Sequence, residues 1–279
     1  MGTFQFSVRW HALGREAELA SEQLAAGVTA LGRANHAQRG YYSQAFFGMS
    51  IGFERAAKLI IIADHAIREH GSFPTNQELK SVGHNIEALF AKCQSISLQF
   101  REGKDFWQKP DEPVHRGITE TLSEFAVLTR YYNLDLMSGR DVISTKEPIS
   151  AWWSRVAAPI LSNHYSERMR ARDEAERAHI AAIGRDSMSV LHHSEDEQVI
   201  NNIERLVTHG AATRVVQKYG RLYCLQLVRW LSFLIGDLSQ IGAYERRIEL
   251  LFGLDEPFYI FRNNDDLLLR RKTWSIYRP

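Results

Sequence analysis

The stretch from Tyr42 to Ile67 repeats at seven residues, and that repeat restricts the chain to helical architectures. Phe46, Phe53, Ile60 and Ile67 fall on one line of a helix, with Met49, Ala56 and Ala63 beside them. This is an a/d seam whose small d residues let a second helix approach closely. Glu54 with Lys58, and Asp64 with Arg68, stand four apart, the spacing of stabilising pairs on an outer surface. The helix is expected over about 38–70. Gly71-Ser72-Phe73-Pro74 then breaks it, and Thr75-Asn76-Gln77-Glu78 has the capping-box pattern of a new helix start.

Further elements follow from the same reading. Residues 3–10 alternate strictly, with Phe4, Phe6, Val8 and Trp10 on one side, which predicts a half-buried strand. Helices are expected at about 14–33 and 118–136, and one or two more between 149 and 193, around a densely charged middle. Ser194-Glu195-Asp196-Glu197 reads as a capping box launching a helix to about 218. A last apolar helix covers 222–252 and stops at Gly253. Phe258 to Phe261 and Leu267 to Leu269 read as two strands joined by a turn. The expected fold is mainly α: a helical bundle with further C-terminal helices and a small β-patch formed by the chain termini. Residues 1–145 are expected as a helical domain with an N-terminal strand, and 146–279 as a helical region ending in a short hairpin.

Hydrophobic residues make up 44% of the 279, enough for a sizeable core. Lys+Arg 34 against Asp+Glu 33 leaves a net charge of +1, so no global field recruits nucleic acid, although a local basic face is compatible with that balance. Cys93 and Cys224 are too few for a Cys-rich zinc site or a disulfide framework, and both lie in apolar helical patterns that suit core packing. The apolar run 59–63 is too short to span a bilayer, and 225–238 is interrupted by Arg229 and Asp237. No membrane association is expected, and a cytoplasmic protein is. Trp152-Trp153 suits a core or interface anchor. The nucleophile elbow, the Walker loop and the dinucleotide glycine motif are absent from the sequence. His192-His193 with Glu195 and Asp196 invites a metal reading, but adjacent residues on a helix diverge by about 100°. No metal and no cofactor are therefore expected.

Three segments together resemble the HEPN superfamily. They are Ser50-Ile51-Gly52-Phe53-Glu54-Arg55-Ala56-Ala57-Lys58-Leu59-Ile60, then Gly83-His84-Asn85-Ile86-Glu87-Ala88-Leu89, then Thr129-Arg130-Tyr131-Tyr132-Asn133. The family pattern is a Glu-x-x-x-Lys in a first long helix, a second helix opening near Gly-His-Asp/Asn, and a later Arg-Tyr pair. The resemblance spans about residues 38–138. It implies a helical bundle that forms a homodimer through its long helices and acts on RNA, often in bacterial antiviral defence or as a toxin.

Many members are metal-independent ribonucleases with an Arg, four to six residues and then a His. In such a pair, His moves the proton of the ribose hydroxyl and Arg clamps the phosphate. Arg185 with His192 matches this spacing, and Gly184 before it permits a break that exposes the motif; Arg172 with His179 is the alternative. With 26 Arg and 11 His in the chain, random placement gives about three such matches, so the spacing alone does not select a site. Arg130 departs from the family pattern, being followed by Leu134-Asp135-Leu136 without a His. By the resemblance, His84, Arg130 and Asn133 are the residues expected to contact substrate. The competing expectation is a non-catalytic interaction or dimerisation module that docks a protein partner within a larger assembly.

Overall fold

A computed structural model describes residues 7–100, 108–140, 146–184 and 191–275. The mainly-α expectation holds: among the described residues, helices dominate and the sheet has only two short strands. Helix α1 (Val8–Leu31) and helix α2 (Gly40–Arg68) form an antiparallel hairpin. The seam residues Phe46, Met49, Phe53, Ala56, Ile60, Ala63 and Ile67 are all buried. Met49 lies against Gly27 of α1, whereas Phe46 packs on Phe125 and Trp152 and Phe53 on Phe90, so these seam positions are filled within the chain. Gly48 shows how close the helices run: a Cβ there would lie 2.9 Å from the Gln23 carbonyl oxygen and 3.0 Å from Gly27 Cα.

Helix α3 (Asn76–Ser81) begins at the expected Thr75 capping box, and helix α4 (Ile86–Gln99) is capped by the Asn85 side chain. Phe90 carries α4 into the core, edge-on to Phe53 of α2. Helix α5 (Pro113–Glu124) runs into a π-helical turn at Phe125–Thr129 and then helix α6 (Tyr132–Met137). Helix α7 (Pro148–Trp152), a second π-turn (Trp153–Ala157), helix α8 (Ala158–His164) and helix α9 (Glu167–Gly184) follow. Strands β1 (His192–His193) and β2 (Val199–Ile200) pair antiparallel. Helix α10 (Ile203–Gln240) is the longest element and packs on α1, α2, α8 and α9. Short turns lead to helix α11 (Asp265–Arg270), also seated on α10. One hydrophobic cluster joins Phe46, Phe53 and Phe90 to Trp152, Leu231 and Phe258. Cys93 and Cys224 are buried in it, as expected, and burial pushes both thiols up out of the reactive range.

Several expectations are corrected. Residues 1–6 lie outside the described residues, but Val8–Trp10 are helical, not strand: Ser7 Oγ accepts the Trp10 N–H at 3.1 Å and caps the helix. The Trp10 indole donates to the Phe252 carbonyl at 2.9 Å, so its burial partner lies at the other end of the chain rather than across a sheet. The C-terminal strands are helical as well. Phe258 and Phe261 are buried three residues apart within a 3-10 turn, and Asn264 caps α11 where the second strand was expected. No terminal β-patch is seen among the described residues; the small sheet lies at residues 192–200.

Ser194 does not cap a helix. Its Oγ accepts the Gln198 N–H at 2.9 Å and closes the β1–β2 turn, where Glu197 takes φ 65°, a value no helix accommodates. Helix α10 starts instead at Ile203, capped by Asn202, and passes through Tyr219-Gly220-Arg221 without a break, with Gly220 beside Trp152 and Ile160. Finally, Asp64 is not on an outer surface: it is 3% exposed, although its Arg68 partner reaches it as expected.

Candidate functional site

Three segments meet at one end of the α1–α2 hairpin: the connection around His36, the β1–β2 turn, and the second and third turns of α10. Asn35 Oδ1 accepts the N–H groups of Ala37 and Gln38, each at 3.0 Å, which bends the connection around His36. The Glu195 side chain is fully buried. Its Oε1 accepts the Tyr42 hydroxyl at 3.1 Å, and its Oε2 meets His209 Nε2 at hydrogen-bond distance. The Trp153 indole donates to Tyr42 Oη at 3.0 Å, and its ring stacks on His209.

His36 stands edge-on to His209, with centroids 5.4 Å apart, and edge-on to His192 at 5.6 Å. Its Nδ1 is buried without a hydrogen-bond partner among the described residues. Burial lowers the His36 pKa, and burial followed by the neighbouring Glu195 pushes the Tyr42 phenol well above its usual range. Tyr42 therefore stays a neutral hydroxyl that donates to the carboxylate.

A cavity of about 340 Å³ adjoins this end, lined by residues that include Arg39, Phe47, Arg130, Tyr131, Asn133 and Glu147. Arg39 links the two places, since its Nη2 donates to the Ser194 carbonyl at 3.3 Å. The Arg130 guanidinium lies over the Phe47 ring, 5.4 Å from its centroid. The Nε atoms of both Arg39 and Arg130 are buried without a hydrogen-bond partner among the described residues. Arg130 could have been neutralised by Glu54, but Glu54 is engaged elsewhere, by Lys58 at 2.7 Å and His84 Nδ1 at 2.9 Å. Among the described residues the one carboxylate in the lining, Glu147, is pushed by burial toward its neutral form. Two guanidinium groups that form no ion pair with a carboxylate among the described residues, beside a weakened acid, suit an anion of phosphate shape.

The residues expected from sequence separate into those brought together and those kept apart. Arg130 and Asn133 share the cavity, whereas His84 stands apart from it on Glu54. Arg172 is held by the adjacent Asp173 carboxylate at 2.8 Å, and His179 is exposed on α9. Arg185 lies outside the described residues, and His192 is an exposed residue of β1 rather than of a helix. Sequence reading missed His36, His209, Tyr42 and Arg39, and it considered Glu195 only beside His192-His193. The only signal was chemical type, because the cluster draws on residues 36, 42, 195 and 209 with no fixed spacing. No family model matches this chain, and no curated protein or solved structure is significantly similar to it.

Proposed function

We propose that the protein is a HEPN-like RNA-binding protein that holds a backbone phosphate between Arg39 and Arg130. The observation that carries this reading is one cavity lined by two arginines, Arg39 and Arg130, whose buried Nε atoms have no hydrogen-bond partner among the described residues. Tyr131, 59% exposed, and Phe47 offer ring surfaces at the same opening, and base stacking on such rings is sequence-tolerant. The neutral overall charge fits a local phosphate site better than broad electrostatic wrapping. The HEPN resemblance gains support from a contact between its motifs: His84, from the Gly-His-Asn segment, bonds Glu54 of the Glu-x-x-x-Lys segment.

Metal-independent cleavage is the stronger form of this reading, with Arg185 and His192, or Arg172 and His179, as the Arg/His pair. Anisotropy of labelled single-stranded RNA and tRNA in EDTA, run beside a cleavage gel, tests both forms. Arg130→Ala is expected to weaken binding roughly tenfold, and Asn133→Ala less, with the fold intact. Binding that is absent in the wild type, or unchanged in Arg130→Ala, overturns the phosphate site. Loss of cleavage in His192→Ala with binding retained would assign the proton carrier.

A second reading, a self-associating interaction module, has its own observation. Val127, Leu128, Tyr131, Leu134, Leu136 and Met137 are each more than half exposed along one segment. A second copy of the chain laid on this strip would bury it. Light scattering on Leu128→Asp and Leu134→Asp variants tests that, with a dimer expected in the wild type and a monomer in the variants.

A further inference from the structure

We propose that His36, Glu195 and His209 form a binding site for one divalent transition-metal ion of the zinc class. One ligand atom from each residue falls within 4.8 Å of the others. Two imidazoles and a carboxylate are a donor set that suits zinc, cobalt or iron(II), whereas calcium and magnesium favour all-oxygen surroundings. Metal bonds of about 2.0–2.2 Å place donor atoms roughly 3.3 Å apart, so small side-chain rotations close the set.

Burial argues for a cation here. The Glu195 side chain is fully buried, and among the described residues no Lys or Arg forms an ion pair with it; His209 is its one basic contact. A buried carboxylate in that position is costly unless a positive charge meets it. His36 supplies an independent pointer, because its buried Nδ1 has no hydrogen-bond partner among the described residues, whereas both Glu195 oxygens, the Tyr42 hydroxyl and the Trp153 indole are engaged. The surroundings have the form of an outer shell that orients ligands: Tyr42 donates to Glu195, Trp153 donates to Tyr42, and Trp153 stacks on His209. An ion would tie together the α1–α2 connection, the β1–β2 turn and α10, three segments distant in sequence. Three protein ligands also leave a fourth position for water or a ligand oxygen. None of this depends on RNA binding.

The test is a cobalt(II) titration of tag-free, chelator-stripped protein followed by optical absorption, then zinc competition and thermal unfolding. One ion per chain is expected, with ligand-field bands but no thiolate charge-transfer band, because neither Cys93 nor Cys224 belongs to the cluster. Zinc is expected to raise the unfolding midpoint by several degrees. His36→Ala and His209→Ala should each weaken the ion at least about a hundredfold, Tyr42→Phe roughly tenfold, and His179→Ala not at all. Glu195→Gln is informative only if circular dichroism shows it folded, so the histidine variants carry the test. Folded wild type that binds no ion at micromolar concentration overturns the proposal, as does binding that survives both histidine substitutions.

Discussion

The two ends of the α1–α2 hairpin are built on opposite principles. Along the middle, Leu24, Gly27, Gly48, Met49 and Gly52 bring two helices into backbone contact, with nothing polar left to satisfy. At the end near His36, the connection between the same helices packs against a buried carboxylate, a phenol, two imidazoles and an indole. The first region gains its stability from packing density, which tolerates no extra volume. The second is held by directional bonds and, among the described residues, leaves His36 Nδ1 buried without a hydrogen-bond partner. Dense apolar packing and a buried polar network thus lie within one helical hairpin.

Overpacking the seam gives the largest expected effect. Gly48→Val places its Cβ against the Gln23 carbonyl and the Gly27 backbone, so the helices must separate. Chemical denaturation is expected to show a loss of about 2–3 kcal/mol; a loss under ~0.5 kcal/mol would mean that the helices are not in contact there. At the polar end, Tyr42→Phe removes a donor to Glu195 and an acceptor of the Trp153 indole at nearly constant volume. The cost should be about 1–2 kcal/mol in ion-free protein, and a neutral result would show that the network is not formed.

A third probe lies on α5, away from both regions. His115 is buried, accepts the Glu112 N–H at its Nδ1 and has its Nε2 2.8 Å from Gln226 Oε1, and burial lowers its pKa. The folded state therefore resists a proton that the unfolded chain takes up readily. Stability is present above the unfolded value of about 6.5 and is lost as pH falls from there toward the lowered folded value. His115→Gln should flatten that limb of a stability-against-pH curve, and an unchanged curve would assign the loss to other groups. The smallest expected effect on stability is that of Arg130→Ala. Within about 0.5 kcal/mol of wild type, it would separate a ligand-binding arginine from a structural one.

The regular parts of this fold were legible in sequence because periodicity reports burial directly. The α2 seam, the Thr75 capping box and the buried Trp152-Trp153 pair all stand where residue pattern placed them. Short aromatic runs were misread for a physical reason. Phe258 and Phe261 suit a strand by propensity, but a spacing of three equally suits a 3-10 turn, and tertiary packing on α10 decided. Ser194 to Glu197 misled because a capping box and a tight hairpin turn use the same side chains to bond nearby backbone. Arg130 and Asn133 were legible as a pair. The His36, Glu195 and His209 cluster was not, since its members come together only when α10 folds back over the connection between α1 and α2.

The salt dependence of RNA binding tests the phosphate site most directly. Each phosphate contact to single-stranded RNA adds about 0.7 to the slope of log affinity against log salt. An Arg39→Ala/Arg130→Ala double variant, which loses the one phosphate held between them, is therefore expected to bind more weakly than wild type, with a slope shallower by roughly 0.7. Equal slopes and equal affinities, or no RNA binding by the folded wild type, would contradict the assignment of this cavity as a phosphate site.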